Sequence, residues 1–414
     1  MTETTQTTPV RLLNTAVIVA ALGYFVDVYD LLLFGFVRQK SLLSLGFTKE
    51  QAFDIGLSLQ NWQMFGMLVG GILWGVLGDK RGRVSVLYFS IALYTLANLL
   101  NGLATGYTDY AFYRFIAGVG LAGELGAGIT LVAEILPKEK RGLGTMLVAS
   151  IGLSGALLAW GIDKLFDWRT CYFVGGGLGL VLLAVRISVS DSGIFKNLKT
   201  QTHVSRGNFF ALFTNKDRFV RFLRCIFIGT TTWFVIGVLV FFSPEFGAAK
   251  GLQGIVAGNA IAIAYIGLIL GDLVSGLLSQ YLRSRVKVMW LFLIMDLIAV
   301  LVYLSAPFSS AEWFYFSHFT LGFSVGFWVI FVTIGAEQFG TNLRSTVATS
   351  VPNFARGMQV PINESFKYLK SAAVTGSVIS AGYIVGAVCL LIAFLAVYGL
   401  KETFDRDLDY VEDI

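Results

Sequence analysis

Five ionisable residues stand in stretches that are apolar on both sides. Asp27 and Asp30 lie within G-Y-F-V-D-V-Y-D-L-L-L-F-G, Arg114 and Glu124 within R-F-I-A-G-V-G-L-A-G-E-L-G-A-G, and Arg356 within S-V-P-N-F-A-R-G. On a helix the positions i and i+3 share a face, so Asp27 and Asp30 project together. Two carboxyls at such close quarters cannot both ionise cheaply, which suits the uptake and release of a proton. Asp30 and Arg114 stand at matching depth in their runs, so an ion pair between them is expected, with Asp30 as the proton carrier. Asp27 in that role, or both aspartates as static groups that lock helices, are the alternatives. Glu124 lies about 15 Å beyond Arg114 along a helix axis; it can relay a proton or bind a ligand, or equally hydrogen-bond across a glycine-rich contact. A fixed guanidinium such as Arg356 matches a carboxylate through two parallel hydrogen bonds, which suits capture of an anionic group. Pairing with Glu364, or with a group on helix 7 or 8, is its alternative role. Amides are costly to bury without a partner, which makes Asn61, Gln63, Asn259 and Asn353 candidates for hydrogen bonds to a ligand, with Tyr24 and Trp233 as aromatic lining.

The elements that must carry these residues are helices in lipid. The chain is 56% hydrophobic and 14% charged, whereas a soluble domain has roughly 45–50% and 25%. Apolar runs long enough to cross about 30 Å of hydrocarbon fall near 13–36, 57–78, 84–104, 109–136, 141–163 and 170–189, then near 221–246, 254–281, 287–306, 312–338, 345–369 and 373–399. The expected fold is an all-α polytopic membrane protein, twelve transmembrane helices in two pseudo-symmetric six-helix bundles. Its expected divisions are a bundle over 1–189, a linker over 190–220, a second bundle over 221–400 and a tail over 401–414. Short basic loops, among them Lys80, Arg81 and Arg83, Lys138 to Arg141, and Arg283 with Arg285, all fall on one side. The positive-inside rule makes that side cytoplasmic, with both termini there. The first run is too long for a signal-peptide core and is expected to remain as a helix.

The two halves repeat. Glu134 precedes Arg141 by seven residues at the end of the fourth run, and Glu337 precedes Arg344 by seven at the end of the tenth. The pairs Arg81/Arg83 and Arg283/Arg285 recur at nearly the same offset, so two independent features point to one duplication. The loop G-V-L-G-D-K-R-G-R-V-S-V-L, Gly75 to Leu87, resembles the signature loop of the major facilitator superfamily. The Arg-plus-glycine run of the fourth helix is similar to that of its proton-coupled members. E-I-L-P-K-E-K-R-G and the K-E-T-F-D-R-D-L-D tail resemble the sugar porters, and the D-x-x-D of the first helix resembles the aromatic-acid/proton and metabolite/proton symporters. The glutamines that sugar porters carry in helices 5 and 7 are missing, where this chain reads I-G-L-S-G-A and I-F-I-G-T-T-T-W-F-V.

The resemblance implies a secondary transporter that imports a small polar metabolite, an organic acid or amino acid in preference, by proton symport and alternating access. A sugar or polyol symporter and an efflux antiporter for a lipophilic compound are the alternatives. Asp79, Arg83, Glu134, Arg141, Glu337 and Arg344 are expected to form a cytoplasmic charge network that gates the carrier. Cys171, Cys225 and Cys389 are scattered, and His203 and His318 have no companion ligands, so neither a disulfide framework, a metal, a cofactor nor an enzymatic centre is expected. The partners expected are substrate, protons and membrane lipid, with no nucleic acid, around a monomer in the bacterial inner membrane. Asp272 and Asp296 receive no role from the sequence.

Overall fold

The computed structural model describes residues 15–136, 138–186, 209–371, 373–404 and 410–412. Every regular element among them is helical, because only intrasegment hydrogen bonds satisfy a backbone crossing hydrocarbon. Span 1 is Thr15–Ser44, span 2 Lys49–Arg81 and span 3 Arg83–Gly102. Span 4 consists of Tyr107–Leu121 and Glu124–Ile135, span 5 of Lys138–Leu153 and Gly155–Leu165, and span 6 is Trp168–Val185. In the second half, span 7 covers Lys216–Val240 and closes in a π-helical turn, span 8 is Ala257–Leu282 and span 9 Arg285–Ser305. Span 10 divides into Ala311–Ser324 and Trp328–Glu337, span 11 into Arg344–Gly357 and Gln359–Lys370, and span 12 is Val378–Tyr398. These are the twelve transmembrane spans of two six-helix bundles.

Local chemistry starts the helices where they start. Thr48 Oγ1 accepts from the Gln51 N–H while the Gln51 side chain accepts from the Thr48 N–H, a reciprocal cap that satisfies two donors at the head of span 2. Asp167 heads span 6 and Asn215 heads span 7, each accepting two backbone N–H groups. Span 7 thus begins at Lys216, ahead of the apolar run that starts near 221.

Among the described residues, nine spans are long and apolar enough to cross a membrane on length and composition alone. Spans 2, 4 and 11 carry Asn61, Gln63, Arg114, Glu124, Asn353 and Arg356 within their apolar runs. Most of these polar groups are buried, so the least apolar spans are those that turn toward the protein interior.

Glycine sets how closely spans approach. In the first half a Cβ on Gly66 or Gly118 would collide with the carbonyl oxygen of Phe115 or Gln63, and one on Gly70 would stand 2.5 Å from that of Val119. In the second half the same contacts recur between spans 8 and 10, where Gly267, Gly271 and Gly322 face the carbonyls of Phe319, Phe323 and Ala264. Spans 2 and 8 both present small residues four apart, G-M-L-V-G and G-L-I-L-G, and this lets backbones touch where no hydrophobic effect drives helices together.

The halves meet at both ends. Toward the end opposite the basic loops, Arg38 of span 1 pairs with Glu245 at 3.2 Å beside Phe242, and Asn61 of span 2 donates to Glu364 of span 11 at 2.7 Å. Toward the basic end, a Cβ on Gly75 would lie 3.1 Å from the Thr346 carbonyl oxygen. On that face Glu402 accepts from Ser284 and from the N–H groups of Arg285, Thr403 and Phe404. Burial opposes ionisation of Glu402, but these bonds outweigh it and hold its carboxyl below the usual range.

Residues 190–208 of the expected linker 190–220, and residues 405–409 and 413–414 of the expected tail 401–414, lie outside the described residues. The glycine contacts predict that Gly118→Val and Gly322→Val each lower the unfolding temperature of the purified protein, since overpacking against backbone costs about 1–3 kcal/mol or more. Gly161→Ala, whose Cβ would meet nothing within 4 Å, is expected to leave it unchanged. Tryptophan fluorescence on heating measures both.

Candidate functional site

Between the halves lies a cavity of about 20 Å³, room for roughly one water. Span 1 contributes Tyr24, Val28 and Leu31 and span 5 Leu153, while the second half contributes Thr232, Trp233, Ile236, Tyr265, Leu268, Trp328 and Arg356. Arg356 is 1% exposed. Its guanidinium lies 5.9 Å from the ring of Trp233 and 5.6 Å from that of Trp328, and Nη1 donates to Asn353 at 3.2 Å. Its Nε has no partner among the described residues, and Glu364 is engaged elsewhere, with Asn61. The cation is held by aromatic faces and one neutral amide and makes no salt bridge to a carboxylate among the described residues, while the buried Asp27 carboxyl of span 1 lies within its electrostatic reach.

Asp27 sits on span 1 between the cavity-lining Tyr24 and Val28. It is fully buried, and neither oxygen has a hydrogen-bond partner among the described residues. Asp30 is buried one turn on; its Oδ1 and the Nδ2 of Asn98 flank Gly175, where a Cβ would stand 2.5 Å from that oxygen. Arg114, also buried, donates to the side-chain oxygen of Gln63 and lies 4.8 Å from the Phe34 ring. The expected Asp30–Arg114 ion pair is therefore not made in this conformation: the amide of Gln63 and the face of Phe34 hold the guanidinium instead.

Glu124 opens the second helix of span 4, and Arg186 beyond span 6 reaches it at 2.7 Å, with both side chains no more than 2% exposed. Ser90 donates to the other carboxylate oxygen at 3.3 Å, and Gly23 of span 1 leaves the space that the pair fills. Arg186 is the functional-site neighbour that sequence reasoning missed. It lies inside the apolar run 170–189, and a cation inside a predicted span was the available signal.

Of the other expected ligand contacts, Tyr24 and Trp233 line the cavity and Asn353 stands beside Arg356. Gln63 serves Arg114. Asn61 accepts from Asn363 as well as donating to Glu364, and Asn259 accepts from Trp160, so these two amides lie in the seam between halves. The side chains of Asp79, Arg83, Glu134 and Arg141 lie outside the described residues. Glu337 accepts from Arg285 at 3.4 Å and from Thr403 at 2.7 Å, all within the second half; Arg344 is buried at the head of span 11.

The two unexplained aspartates flank the break in span 10. Asp272 of span 8 accepts from the N–H of Val329, supplying a negative group to the first turn of Trp328–Glu337. Asp296 of span 9 accepts from Ser324, at the end of the preceding helix, at 3.0 Å.

Two six-helix repeats around a central cavity, with ionisable groups buried beside it, are the architecture of a membrane transporter. The sequence model of the Major Facilitator Superfamily matches residues 13–358, and the chain belongs to that superfamily. A Haemophilus influenzae protein named for metabolite transport is 38% identical over 189 residues, 45% of this chain and 46% of that one. The 3-(3-hydroxy-phenyl)propionate transporter of Escherichia coli is 28% identical over 251 residues, 56% of this chain and 59% of that one. The aligned stretches thus span about half the length of these relatives. A solved D-xylose-proton symporter has the same fold, with a TM-score of 0.70 at 16% identity over 94% of this chain and 98% of that one.

The Glu124–Arg186 pair predicts that Glu124→Gln lowers the unfolding temperature, because an uncompensated buried charge costs about 3–5 kcal/mol. Replacing both residues, Glu124→Gln with Arg186→Met, is expected to recover much of that loss; equal loss in the single and double variants would refute the pairing.

Proposed function

We propose that this transporter moves a small carboxylate-bearing metabolite together with a proton, by opening first one end of the interface between halves and then the other. The observation that carries the reading is Arg356, a buried guanidinium on the cavity wall that makes no salt bridge to a carboxylate among the described residues. The aromatic lining of Tyr24, Trp233, Tyr265 and Trp328 suits a substrate with a flat apolar body behind its carboxylate. A relative named for an aryl propionate, itself a carboxylate, supports the same class. The cavity of about 20 Å³ is too small for any such metabolite, so one seam must part before substrate enters.

The proton is assigned to the aspartate pair of span 1, with Asp30 as carrier and Arg114 its partner when the helices move. Asp27 is the second reading, favoured by its place between two cavity-lining residues. Glu124, tied to Arg186, serves to hold spans 1, 4 and 6 together. The basic face is taken as cytoplasmic, with both termini there and the chain a monomer in the bacterial inner membrane; 1–189 and 221–400 are taken as the two moving bundles.

Thermal stabilisation across a library of small carboxylates, sugars and amino acids identifies the class, since a ligand at 100 times its Kd adds about 2.7 kcal/mol. For the acid so found, Arg356→Lys is expected to weaken binding by about 1.5–3 kcal/mol, the size of a charge-assisted hydrogen bond, and Arg356→Gln by more. In vesicles, Asp30→Asn is expected to abolish accumulation driven by a pH gradient while counterflow persists. Full accumulation by Asp30→Asn with loss in Asp27→Asn would move the proton to Asp27. Selective stabilisation by neutral sugars would overturn the substrate class.

A further inference from the structure

The two helices of span 4 part at Ala122 and Gly123, immediately before Glu124. A helix that ends inside hydrocarbon leaves carbonyls that its own backbone cannot serve. Here side chains from other spans supply the donors. Trp74 Nε1 of span 2 donates to the Val119 carbonyl at 2.6 Å, and Asn353 Nδ2 of span 11, from the other half, donates to the Ala122 carbonyl at 2.8 Å. The same Nδ2 also donates to the Thr349 carbonyl of its own helix at 2.7 Å, and Asn353 Oδ1 accepts from Arg356 at 3.2 Å. Small residues permit this approach. A Cβ on Gly71 would stand 2.7 Å from that of Asn353, and one on Gly126 would collide with the backbone of Thr349. Asn353 is buried, and its carboxamide therefore joins the cavity cation of one half to the helix break of the other.

From this geometry we infer that Asn353 is a positioning residue that couples the engagement of Arg356 to the closure of the seam between spans 4 and 11. The inference rests on the reading of Arg356 as the substrate anchor. In this conformation Arg356 holds Oδ1 and thereby aims Nδ2 at Ala122, which pins the break in span 4 against span 11. A carboxylate arriving at the guanidinium competes for the N–H that Asn353 now accepts. The amide then loses its fixed orientation, its hold on Ala122 loosens, and the halves can part toward the basic end. Substrate capture in one half is in this way felt beside Glu124 in the other.

The test needs no substrate, so its failure is separable from failure of the carboxylate reading. Spin labels on cysteines replacing Lys80 and Tyr281, exposed residues near the basic ends of spans 2 and 8, report the separation of the halves by double electron–electron resonance. Asn353→Ala is expected to raise the share of the longer distance at least threefold. Asn353→Asp keeps an acceptor for Arg356 and removes the Nδ2 donor that serves Ala122 and Thr349, and it is expected to do the same; it decides the matter alone if the alanine variant does not fold. Arg356→Gln is expected to shift the distribution in the same direction, and Asn353→Ala with Arg356→Gln to shift it no further than Asn353→Ala. Wild-type distributions in both Asn353 variants would overturn the inference. So would shifts that add in the double variant, because an amide that merely packs the seam would act independently of Arg356.

Discussion

In hydrocarbon no water waits for a peptide group, so each interruption of a helix must find its partners inside the protein. Spans 4 and 10 are both interrupted near the middle, and both are capped by side chains borrowed from elsewhere. Trp74 and Asn353 take carbonyls at the first break, and Asp272 takes an N–H at the second. The cavity depends on these loans. Trp328, which begins the second helix of span 10, lines it; Glu124, which begins the second helix of span 4, sits behind it with Arg186. An uninterrupted helix at either place would offer no spare backbone group through which a neighbouring span could sense it.

The repeat gives the two halves matching scaffolds and leaves chemistry to single positions. Arg356 lies twelve residues beyond Arg344, and Leu153 lies twelve beyond Arg141. Both line the cavity from equivalent helices, one as a cation and the other as an apolar wall. On the proposed carboxylate reading, this asymmetry turns the charged group of the ligand toward the second half.

Much of this was readable from residues alone, for a physical reason. Charge inside an apolar run is so costly that Asp27, Asp30, Arg114, Glu124 and Arg356 announce themselves, and twelve runs with a duplicated basic loop fix the fold. Partner choice was less legible. Arg114 lies at the depth of Asp30 yet meets Gln63, because depth along a helix does not specify which face a rotamer seeks. Arg186, inside the run 170–189, received no role from the sequence, although it folds back to Glu124. Asp272 and Asp296 could not be understood before the break in span 10 was visible, since the groups they serve are a backbone N–H and a serine hydroxyl that the interruption exposes. The paired glycines of spans 2 and 8 were present in the sequence as small residues four apart, but glycine is so common in this chain, at 46 residues, that the spacing alone did not stand out.

Those glycines have a consequence for heredity. Every single-nucleotide missense change of a glycine codon adds at least a Cβ, and at Gly66, Gly118, Gly267 and Gly322 that atom would run into the backbone of a neighbouring helix. Such codons have no conservative missense neighbour. Where spans 2 and 4, or 8 and 10, touch, every missense change of these codons therefore presses a side chain against backbone, whereas a change in the cavity wall meets other side chains.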